Sequence, residues 1–343
     1  MPAALELRIE HGDVTAFEAD VLALKYAQGF HGVDEVVSQA LGRVGISSIA
    51  LQLSIGQFAY VETLGSIGAS HALFVGVLGL RSFSYPQIRE FASQILHILA
   101  GQAPSTKHLA MTIHGAGYGL DEVESCVAQV EGYLDALRAG SLPDALQRIS
   151  ILDRDPGRIQ RLRQALPERF AHNAALTAED SEGGYLLSVP HPSPTSGSAV
   201  GERTETAPPE TRDRTTAKPH IFVAMSFSKE LDDVFHYGIQ GPVHTAGYIC
   251  ERMDHVAFAG EIMSWLKQRI ETAEIIIAEL SGSNPNVYLE VGYAWGKGRP
   301  TVLLAPKAEE LAFDVQGHRR LIYESIRDLE TQLTRELASL KKP

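Results

Sequence analysis

Apolar positions in the first 170 residues alternate between two periodicities. Six short runs of apolar and β-branched residues are typical of strands: LELRIEHG, ADVLALKY, FAYVETL, ALFVGVLG, HLAMTIHG and RISILDR. Between them lie segments with apolar residues at helical spacing, namely GVDEVVSQALG, SYPQIREFASQILHILAG, DEVESCVAQVEGYLDALRAG and RIQRLRQAL. This alternation predicts an α/β layered domain with a largely parallel or mixed sheet.

The same alternation starts again after residue 219. Four strands are predicted, namely HIFVAM, YICERMD, EIIIAEL and PTVLLAP. The first strand is followed by an interrupted helix, SKELDDVFHYGIQGPVHTAG. The pattern is that of a small doubly wound α/β domain, in which ligands bind at the carboxyl ends of the strands. A final helix carries a leucine stripe, which more often packs on a core than binds a partner; it consists of Leu329, Leu333, Leu337 and Leu340.

Between the two patterns, at about 188–219, the chain is rich in Pro, Ser, Thr and charged residues. Almost no large apolar side chains are present to offset the entropy lost on ordering, so the segment is typical of a flexible linker. We therefore assign 1–175 to a first domain, 176–218 to the linker and 219–343 to a second domain.

The composition narrows the function classes. With 343 residues, 44% of them apolar and 21% charged, the chain is long enough for two domains with real cores. A net charge of −12 argues against non-specific binding to nucleic acid or to an anionic membrane. The two cysteines, Cys126 and Cys250, form neither a disulfide framework nor a metal-binding spacing. Without a signal peptide or a membrane-spanning run, we expect a cytoplasmic protein with no metal.

The stretch NPNVYLEVGYAWGKG, residues 284–298, has clear helix start and stop signals. Asn284 can cap the first turn, Pro285 fits the first helical position, and Gly298 can end the helix in a left-handed conformation. Glu290 stands in an otherwise apolar and aromatic run with no basic residue one turn away. It is either a solvated surface glutamate or a carboxylate on a cleft wall that reacts. The core-facing stripe consists of Val287, Val291 and Ala294.

The Glu290 helix follows the strand EIIIAEL and therefore begins at the expected ligand site of the predicted sheet. Ser226 ends the first strand at the same edge, and Asp254 and Glu261 follow the second. Carboxylates without a His or Cys cluster suit chemistry at the anomeric carbon of a sugar. They do not suit phosphoryl transfer, which would require a glycine–lysine phosphate loop or a magnesium site.

Three segments of the second half resemble the nucleoside 2-deoxyribosyltransferase-like superfamily, relatives of the Toll/interleukin-receptor (TIR) NAD-cleaving domains. They are HIFVAMSFSKELDDVF, GEIMSWLKQRIETAEIIIAELSGSNPNVYLEVGYAWGKGRP and FDVQGHRRLIYES, and the resemblance covers about 218–330. It implies a flavodoxin-like fold in which Glu290 is the nucleophile that attacks the anomeric carbon of the ribosyl group. Asn284 departs from the family, which has an acidic residue there to assist with the base or sugar.

The resemblance also implies the remaining residues of this site. Ser226 and Phe227 line the nucleotide pocket and Glu261 supports it. The candidate catalytic residues are thus Glu290, Asn284 and Glu261, and the candidate substrate-binding residues are Ser226, Phe227, Asp254 and Asn286.

Two segments of the first half resemble a macro domain, a module that holds ADP-ribose and related nucleotides. They are HGDVTAFEADVLALKYAQGFHGVDEVVSQALG and TIHGAGYGLDEVESCVAQVEGYLDAL. The resemblance covers about 1–170 and implies an α/β/α fold. Asp13 matches the position that contacts adenine, and GFHG and GAGYG match the two phosphate loops. Lys25 and Tyr26 stand where active ADP-ribose hydrolases carry asparagines, so we expect ligand binding without hydrolysis. The candidate loop residues are Gly29, Gly32, Gly115, Gly117 and Gly119.

A nucleotide-binding domain linked to a glycosidase-like domain predicts a sensor and effector pair, as in bacterial antiphage systems. The leading hypothesis is an enzyme that cleaves the N-glycosidic bond of NAD or another nucleotide under control of the first domain, with no cofactor. A housekeeping nucleotide N-glycosidase or deoxyribosyltransferase is the second hypothesis, and a non-catalytic nucleotide-binding signalling module is the third. Because family members often complete the pocket with a neighbouring subunit, a homo-oligomer is expected.

Overall fold

A computed structural model describes residues 5–79, 83–116, 119–171, 175–178, 183–188, 219–252, 261–307 and 320–340. They form two α/β units, the first around a mixed eight-stranded sheet and the second around a parallel five-stranded sheet. The predicted fold class is therefore confirmed. Of the helices in these ranges, none has the length and apolar character needed to cross a membrane.

The first unit follows the predicted alternation. Its strand order is β3-β4-β2-β5-β6-β1-β8-β7, with the five central strands parallel and the outer ones antiparallel to their neighbours. In chain order the elements are β1 (Leu5–His11), β2 (Val21–Tyr26), α1 (Val33–Arg43), β3 (Phe58–Glu62), β4 (His71–Gly76), α2 (Tyr85–Gln102), β5 (His108–Thr112), α3 (Glu122–Ala139), β6 (Arg148–Asp153), α4 (Pro156–Phe170), β7 (Leu176–Ala178) and β8 (Gly184–Leu187).

Helices cover both faces of this sheet. In β2, Val21 and Ala23 pack into the core beneath α2, α3 and α4, while Leu22 and Leu24 pack into the core beneath α1. Alternate side chains of a strand point to opposite faces, so a central strand covered on both sides is apolar throughout. This produces the α/β/α layering.

The first unit extends beyond its predicted end at residue 175. β8 pairs antiparallel with β1, and β7 pairs with β8, so the eight-stranded sheet continues to Leu187. The assigned linker start at residue 176 is thus wrong for these two strands, which are too short to show an alternating pattern. Residues 189–218, which contain the rest of the assigned linker, lie outside the described residues.

The second unit has the strand order β10-β9-β11-β12-β13, with every neighbouring pair parallel. Its interrupted helix is a 3₁₀ turn, a π-helical turn at Val234–Gln240 and the short α5. The sequence did not predict β13. The regular elements are β9 (His220–Ala224), α5 (Gly241–Thr245), β10 (Ile249–Arg252), α6 (Glu261–Thr272), β11 (Ile275–Glu279), α7 (Pro285–Gly296), β12 (Thr301–Pro306), β13 (Arg320–Tyr323) and α8 (Ile326–Leu340).

Helices also cover both faces of the second sheet. α6 and α7 pack on one face, and the π-helical turn, α5 and α8 pack on the other. Leu329, Leu333 and Leu337 of α8 are fully buried, whereas Leu340 is 39% exposed. The leucine stripe is therefore a packing face over its first three positions.

Candidate functional site

The second sheet reverses its strand order between β9 and β11. In such sheets the crevice outside the carboxyl ends of the two strands is the usual ligand site. The chain leaves β9 through Met225, Ser226 and Phe227, and it leaves β11 through the turn Ser281–Ser283, which leads to α7. Ser226 and the start of the Glu290 helix thus lie at the predicted edge.

The ends of α7 agree with the sequence signals. The Asn284 side chain accepts a hydrogen bond from the Asn286 backbone N–H at 3.0 Å, and Pro285 is the first helical residue. Past the other end, Gly298 has a φ of 67°. Because the Asn284 oxygen caps the helix, Asn284 fixes where α7 begins at this edge.

Glu290 is 3% exposed, so its interpretation as a solvated surface glutamate is wrong. It shares a helix face with Val287, Val291 and Ala294, which pack against β9, β11 and β12. Sequence reasoning placed those three residues in the core but did not place Glu290 with them. Since Glu290 follows Val287 by three residues, helical spacing alone could have indicated it.

A second buried carboxylate, Glu279, ends β11 at the same edge and was not predicted. Its Oε1 accepts hydrogen bonds from Ser281 Oγ at 2.6 Å and from the Tyr323 hydroxyl at 2.9 Å. Its Oε2 accepts one from the Ser281 backbone N–H at 3.2 Å. The available signal was a glutamate at the end of an apolar strand. Glu279 therefore anchors the turn before α7 and ties it to β13.

The other predicted residues of this site are only partly described. Phe227 is half-buried and Asn286 is exposed. Asp254 lies outside the described residues. α6 begins at Glu261, as expected for a helix that follows β10, but the Glu261 side chain also lies outside them. Among the described residues, no cluster of His, Cys, Asp or Glu is arranged to hold a metal ion.

In the first unit, the two predicted phosphate loops follow β2 and β5, which are parallel neighbours, so the loops lie side by side. Gly32 is the N-cap residue of α1 with a φ of 60°, a conformation that favours glycine. Gly115 has a φ of 90°, and a Cβ there would lie 2.6 Å from Leu120 Cδ1. Gly29 and Gly119 also belong to the described loops, and Gly117 lies outside the described residues. The glycines at 32 and 115 are thus required by the backbone itself.

Asp13 already has partners. One carboxylate oxygen accepts hydrogen bonds from the Thr15 backbone N–H and hydroxyl at 2.9 and 2.7 Å, and the other from Arg154 Nη2 at 2.6 Å. The Arg154 hydrogen bond, reinforced by Thr15, lowers the pKa of Asp13 to about 2. The predicted adenine contact must therefore compete with Arg154.

Lys25, near the end of β2, forms a buried ion pair. Its Nζ lies 2.9 Å from Oδ2 of Asp34 in the first turn of α1, and both residues are less than 5% exposed. Burial raises the pKa of Asp34, although the Lys25 charge opposes this. The pair joins β2 to α1 across the first loop, so the Lys25 side chain stabilises the scaffold of the loop.

Asp121, just after the second loop, connects the two units. Its Oδ1 caps α3 by accepting hydrogen bonds from the Val123 and Glu124 backbone N–H groups at 2.9 and 3.1 Å. Its Oδ2 lies 2.5 Å from His244 Nε2 and accepts a hydrogen bond from the Cys250 backbone N–H at 3.3 Å. Burial opposes both charges, yet the hydrogen bond between them lowers the pKa of Asp121 and raises that of His244. The first unit thus contacts β10, which is the outermost strand of the second sheet.

A second contact lies beside the first. The Tyr85 hydroxyl donates to Glu251 Oε1 at 2.9 Å and accepts from the Asp121 backbone N–H at 3.0 Å. Glu251 is 1% exposed, and burial raises its pKa to about 7 although Arg269 lies 3.2 Å away. Sequence reasoning missed both contacts because their partners are more than 120 residues apart.

Comparison with known proteins gives only distant likenesses. No protein-family profile and no curated protein matches the chain. The CMP N-glycosidase BcmB of Clostridium botulinum is 16% identical over 34% of this chain and 98% of its own, with a TM-score of 0.30. A Trypanosoma brucei macrodomain solved with ADP-ribose is 14% identical over 46% of this chain and 67% of its own, with a TM-score of 0.38. An Oceanobacillus iheyensis macrodomain solved with MES is 11% identical over 48% and 92%, with a TM-score of 0.37. At this level the likeness carries no argument about activity, and the fold class rests on the strand orders above.

Proposed function

We propose that this protein cleaves the N-glycosidic bond of NAD or another nucleotide, with Glu290 acting on the anomeric carbon. The observation that carries the proposal is the position of Glu290, a buried carboxylate on the helix that begins at the strand-order reversal of the second sheet. A carboxylate in a water-poor site stabilises developing positive charge far better than one in water does. Glu279 and the Asn284 cap hold the start of that helix in place.

The reaction balances without a cofactor. The Glu290 carboxylate bonds to the anomeric carbon as the bond from that carbon to the base nitrogen breaks, and the bond pair leaves with the base. Water then attacks the same carbon, the ester bond to Glu290 breaks, and the proton of the water passes to solvent. The products are the free base and the ribosyl compound, with the carboxylate regenerated.

Asn284 favours NAD over an ordinary nucleoside as the substrate. A neutral purine or pyrimidine leaves most easily when an acid protonates it, and an asparagine cannot supply that proton. The nicotinamide of NAD carries a positively charged ring nitrogen, so it leaves as a neutral molecule without an acid. A substrate with a cationic base therefore fits a site in which Asn284 replaces the acidic residue.

We further propose that a nucleotide bound to the first unit controls this cleavage, in a bacterial antiphage role and in the cytoplasm. The second phosphate loop ends next to Asp121, whose carboxylate contacts His244 and the edge of the second sheet. A ligand that shifts this loop must therefore also shift a contact with the glycosidase-like unit. In this proposal the first unit binds its nucleotide without hydrolysing it, because the Lys25 side chain is held in an ion pair with Asp34.

The test is base release from NAD, nucleotides and nucleosides by the full-length protein, followed by chromatography. Replacing Glu290 with Gln preserves the size of the side chain but removes its charge, and we expect a loss of rate of about a hundredfold or more. Glu330→Gln, at an exposed position of α8, is the matched control and should leave the rate unchanged.

The outcomes separate the three functions. Nicotinamide release that requires Glu290 supports the proposal. Release of a purine or pyrimidine, or transfer of deoxyribose to a second base, would indicate the housekeeping enzyme instead. Ligand binding without turnover under every activator tested would indicate a signalling module. A folded Glu290→Gln protein that cleaves as fast as the wild type would remove Glu290 from the reaction.

A further inference from the structure

A cleft of about 310 Å³ lies between the two units. The first unit contributes the loop after β5 and the N-terminal turns of α3 and α4, and the second contributes the ends of β9 and β10 and the π-helical turn. Ligand pockets commonly enclose about 300 to 1,000 Å³, so this cleft has room for one base and one sugar. Its described lining residues include Phe227 of the predicted substrate pocket and Ala116 of the second phosphate loop, but neither Glu290 nor Asp13.

The π-helical turn contributes three residues to the cleft, Phe235, His236 and Gln240. Such turns are rare and occur often at functional sites. Gln240 is only 6% exposed, and its Oε1 lies 3.0 Å from His236 Nδ1. Within the described chain, the Gln240 amide nitrogen makes no hydrogen bond. Gln240 lines the cleft, and this nitrogen can therefore donate a hydrogen bond to a ligand.

One wall of the cleft is formed by two aromatic rings and a guanidinium group that stacks on both of them. The Arg252 guanidinium carbon lies 4.0 Å from the Phe235 ring centroid and 4.7 Å from that of Phe227. Aromatic rings and guanidinium planes are the surfaces on which nucleic-acid bases stack. The wall therefore suits an aromatic base, with Gln240 available for a hydrogen bond to the edge of the base.

The charged residues that line the cleft favour a ligand without a phosphate. Carboxylates outnumber guanidinium groups by four to two among its lining residues. Two of these carboxylates are accessible, since the Asp155 and Asp232 side chains are 46% and 51% exposed. Each also faces a guanidinium group: Asp155 Oδ2 lies 3.5 Å from Arg161 Nη2, and Asp232 Oδ1 lies 3.6 Å from Arg252 Nη2. Carboxylates accept hydrogen bonds from ribose hydroxyls but repel phosphate oxygens. The charged lining residues are Asp121, Glu122, Asp155, Asp232, Arg158 and Arg252.

We propose that this cleft binds a ribonucleoside without a phosphate. Its base stacks on the Phe227–Phe235–Arg252 wall and accepts a hydrogen bond from Gln240, and its ribose hydroxyls donate to Asp155 and Asp232. The ligand contacts both units at once, so it stabilises their arrangement. This site shares Phe227 with the predicted substrate pocket, but it contains neither Glu290, the proposed cleavage residue, nor Asp13 of the nucleotide site in the first unit.

The experiment uses the full-length chain with Glu290→Gln, so that no ligand is consumed. Adenosine, cytidine, guanosine and uridine, their free bases and their 5′-monophosphates are titrated by calorimetry. We expect one ribonucleoside to bind, with its free base and its monophosphate each weaker by about tenfold. Gln240→Leu should weaken the nucleoside by about tenfold, as expected for one lost hydrogen bond. Gln39→Leu, at an exposed position of α1, is the matched control.

A second variant tests whether the cleft discriminates between the nucleoside and its monophosphate, which a purely structural residue would not affect. Asp232→Asn removes one negative charge at a half-exposed position, so the monophosphate should gain affinity relative to the nucleoside. The proposal is overturned if no ribonucleoside binds, or if the free base binds as tightly as the nucleoside. Binding that is indifferent to Gln240→Leu but lost in Asp13→Ala would place the ligand in the first unit and also overturn it.

This outcome is independent of the proposed enzymatic activity. A wild-type protein that binds the nucleoside in the cleft but releases no base from any substrate would contradict only the glycosidase proposal. A protein that releases base but binds no nucleoside in the cleft would contradict only the cleft proposal.

Discussion

At the carboxyl edge of the first sheet, charged side chains occur as ion pairs. Lys25 lies 2.9 Å from Asp34, and Arg154 lies 2.6 Å from Asp13. At the carboxyl edge of the second sheet, Glu279 is held by a hydroxyl and a backbone amide of Ser281 and by a tyrosine hydroxyl, which are neutral donors. Glu290 is buried on an apolar helix face of the same edge.

The two edges differ in what surrounds their carboxylates. Ion pairs neutralise a binding edge and fix its loops, so a ligand meets backbone amides in a defined position. Hydroxyl and amide donors fix the Glu279 carboxylate and, through Ser281, the turn that leads to the Glu290 helix. This difference matches the proposed division of roles, in which the first edge holds a nucleotide and Glu290 at the second edge acts in cleavage.

The largest expected effect tests the scaffold role of the first edge. Lys25→Met leaves Asp34 buried without its partner, and breaking a buried pair commonly costs about 3 to 5 kcal/mol of unfolding free energy. Because burial already raises the pKa of Asp34, this residue can take up a proton, and we expect a loss near about 3 kcal/mol. Urea denaturation at neutral pH measures the change.

Two variants control this measurement. Lys107→Met, at an exposed position, should change stability by no more than about 0.5 kcal/mol. The double variant Lys25→Met/Asp34→Leu should recover most of the loss, because no charge is then left buried. Equal stability of Lys25→Met and Lys107→Met would show that the first edge does not depend on its ion pair.

The next effect concerns the contact that joins the two edges. The pKa of Glu251 is raised to about 7 in the folded protein from its usual 4.5, so the folded state binds this proton more tightly. Its contribution is fully present below the unfolded pKa and is lost as the pH rises through 7, on the order of 3 kcal/mol. The raised pKa of His244 acts in the same direction. Burial lowers the pKa of His114 and His220, which acts in the opposite direction. The prediction therefore concerns the part that Glu251 contributes: between pH 5 and pH 7 the unfolding free energy should fall relative to that of a variant without this carboxyl, in a denaturation series.

Glu251→Gln keeps an acceptor for the Tyr85 hydroxyl but removes the titrating group. Between pH 5 and pH 7 the slope of stability against pH should become more positive than that of the wild type, while Glu330→Gln should keep the wild-type slope. If the Glu251→Gln protein retains the full slope, the pH dependence arises elsewhere.

The smallest effect on stability is expected at Asp13. Its ion pair with Arg154 is largely exposed, and such pairs contribute about 0 to 1 kcal/mol. Asp13→Ala should therefore barely change the melting temperature but weaken ADP-ribose binding by about tenfold. Arg154→Ala removes the competitor of the ligand and should strengthen binding. Calorimetry with the full-length Glu290→Gln chain measures both, and unaltered affinity in Asp13→Ala would exclude Asp13 from the site.

Local pattern in the sequence determined most of the elements. Alternating and helical periodicities predicted β1 to β6, α1 to α4 and the central elements of the second unit, because each pattern arises from the residue spacing of a single strand or helix. The cap at Asn284 and the left-handed Gly298 were likewise local. The short strands β7, β8 and β13 were missed, since they contain too few residues to show a period and are stabilised by pairing with distant strands.

Only the tertiary structure decided what surrounds each chemical group. The sequence could not show that Glu290 is buried or that Arg154 forms an ion pair with Asp13. It also could not show that Asp121 contacts His244, which lies 123 positions further along the chain. Nor could it show the interunit cleft, whose walls come from both units. The reason is physical: a strand or helix follows from neighbours in sequence, whereas burial and charge pairing depend on groups that only folding brings within a few ångströms.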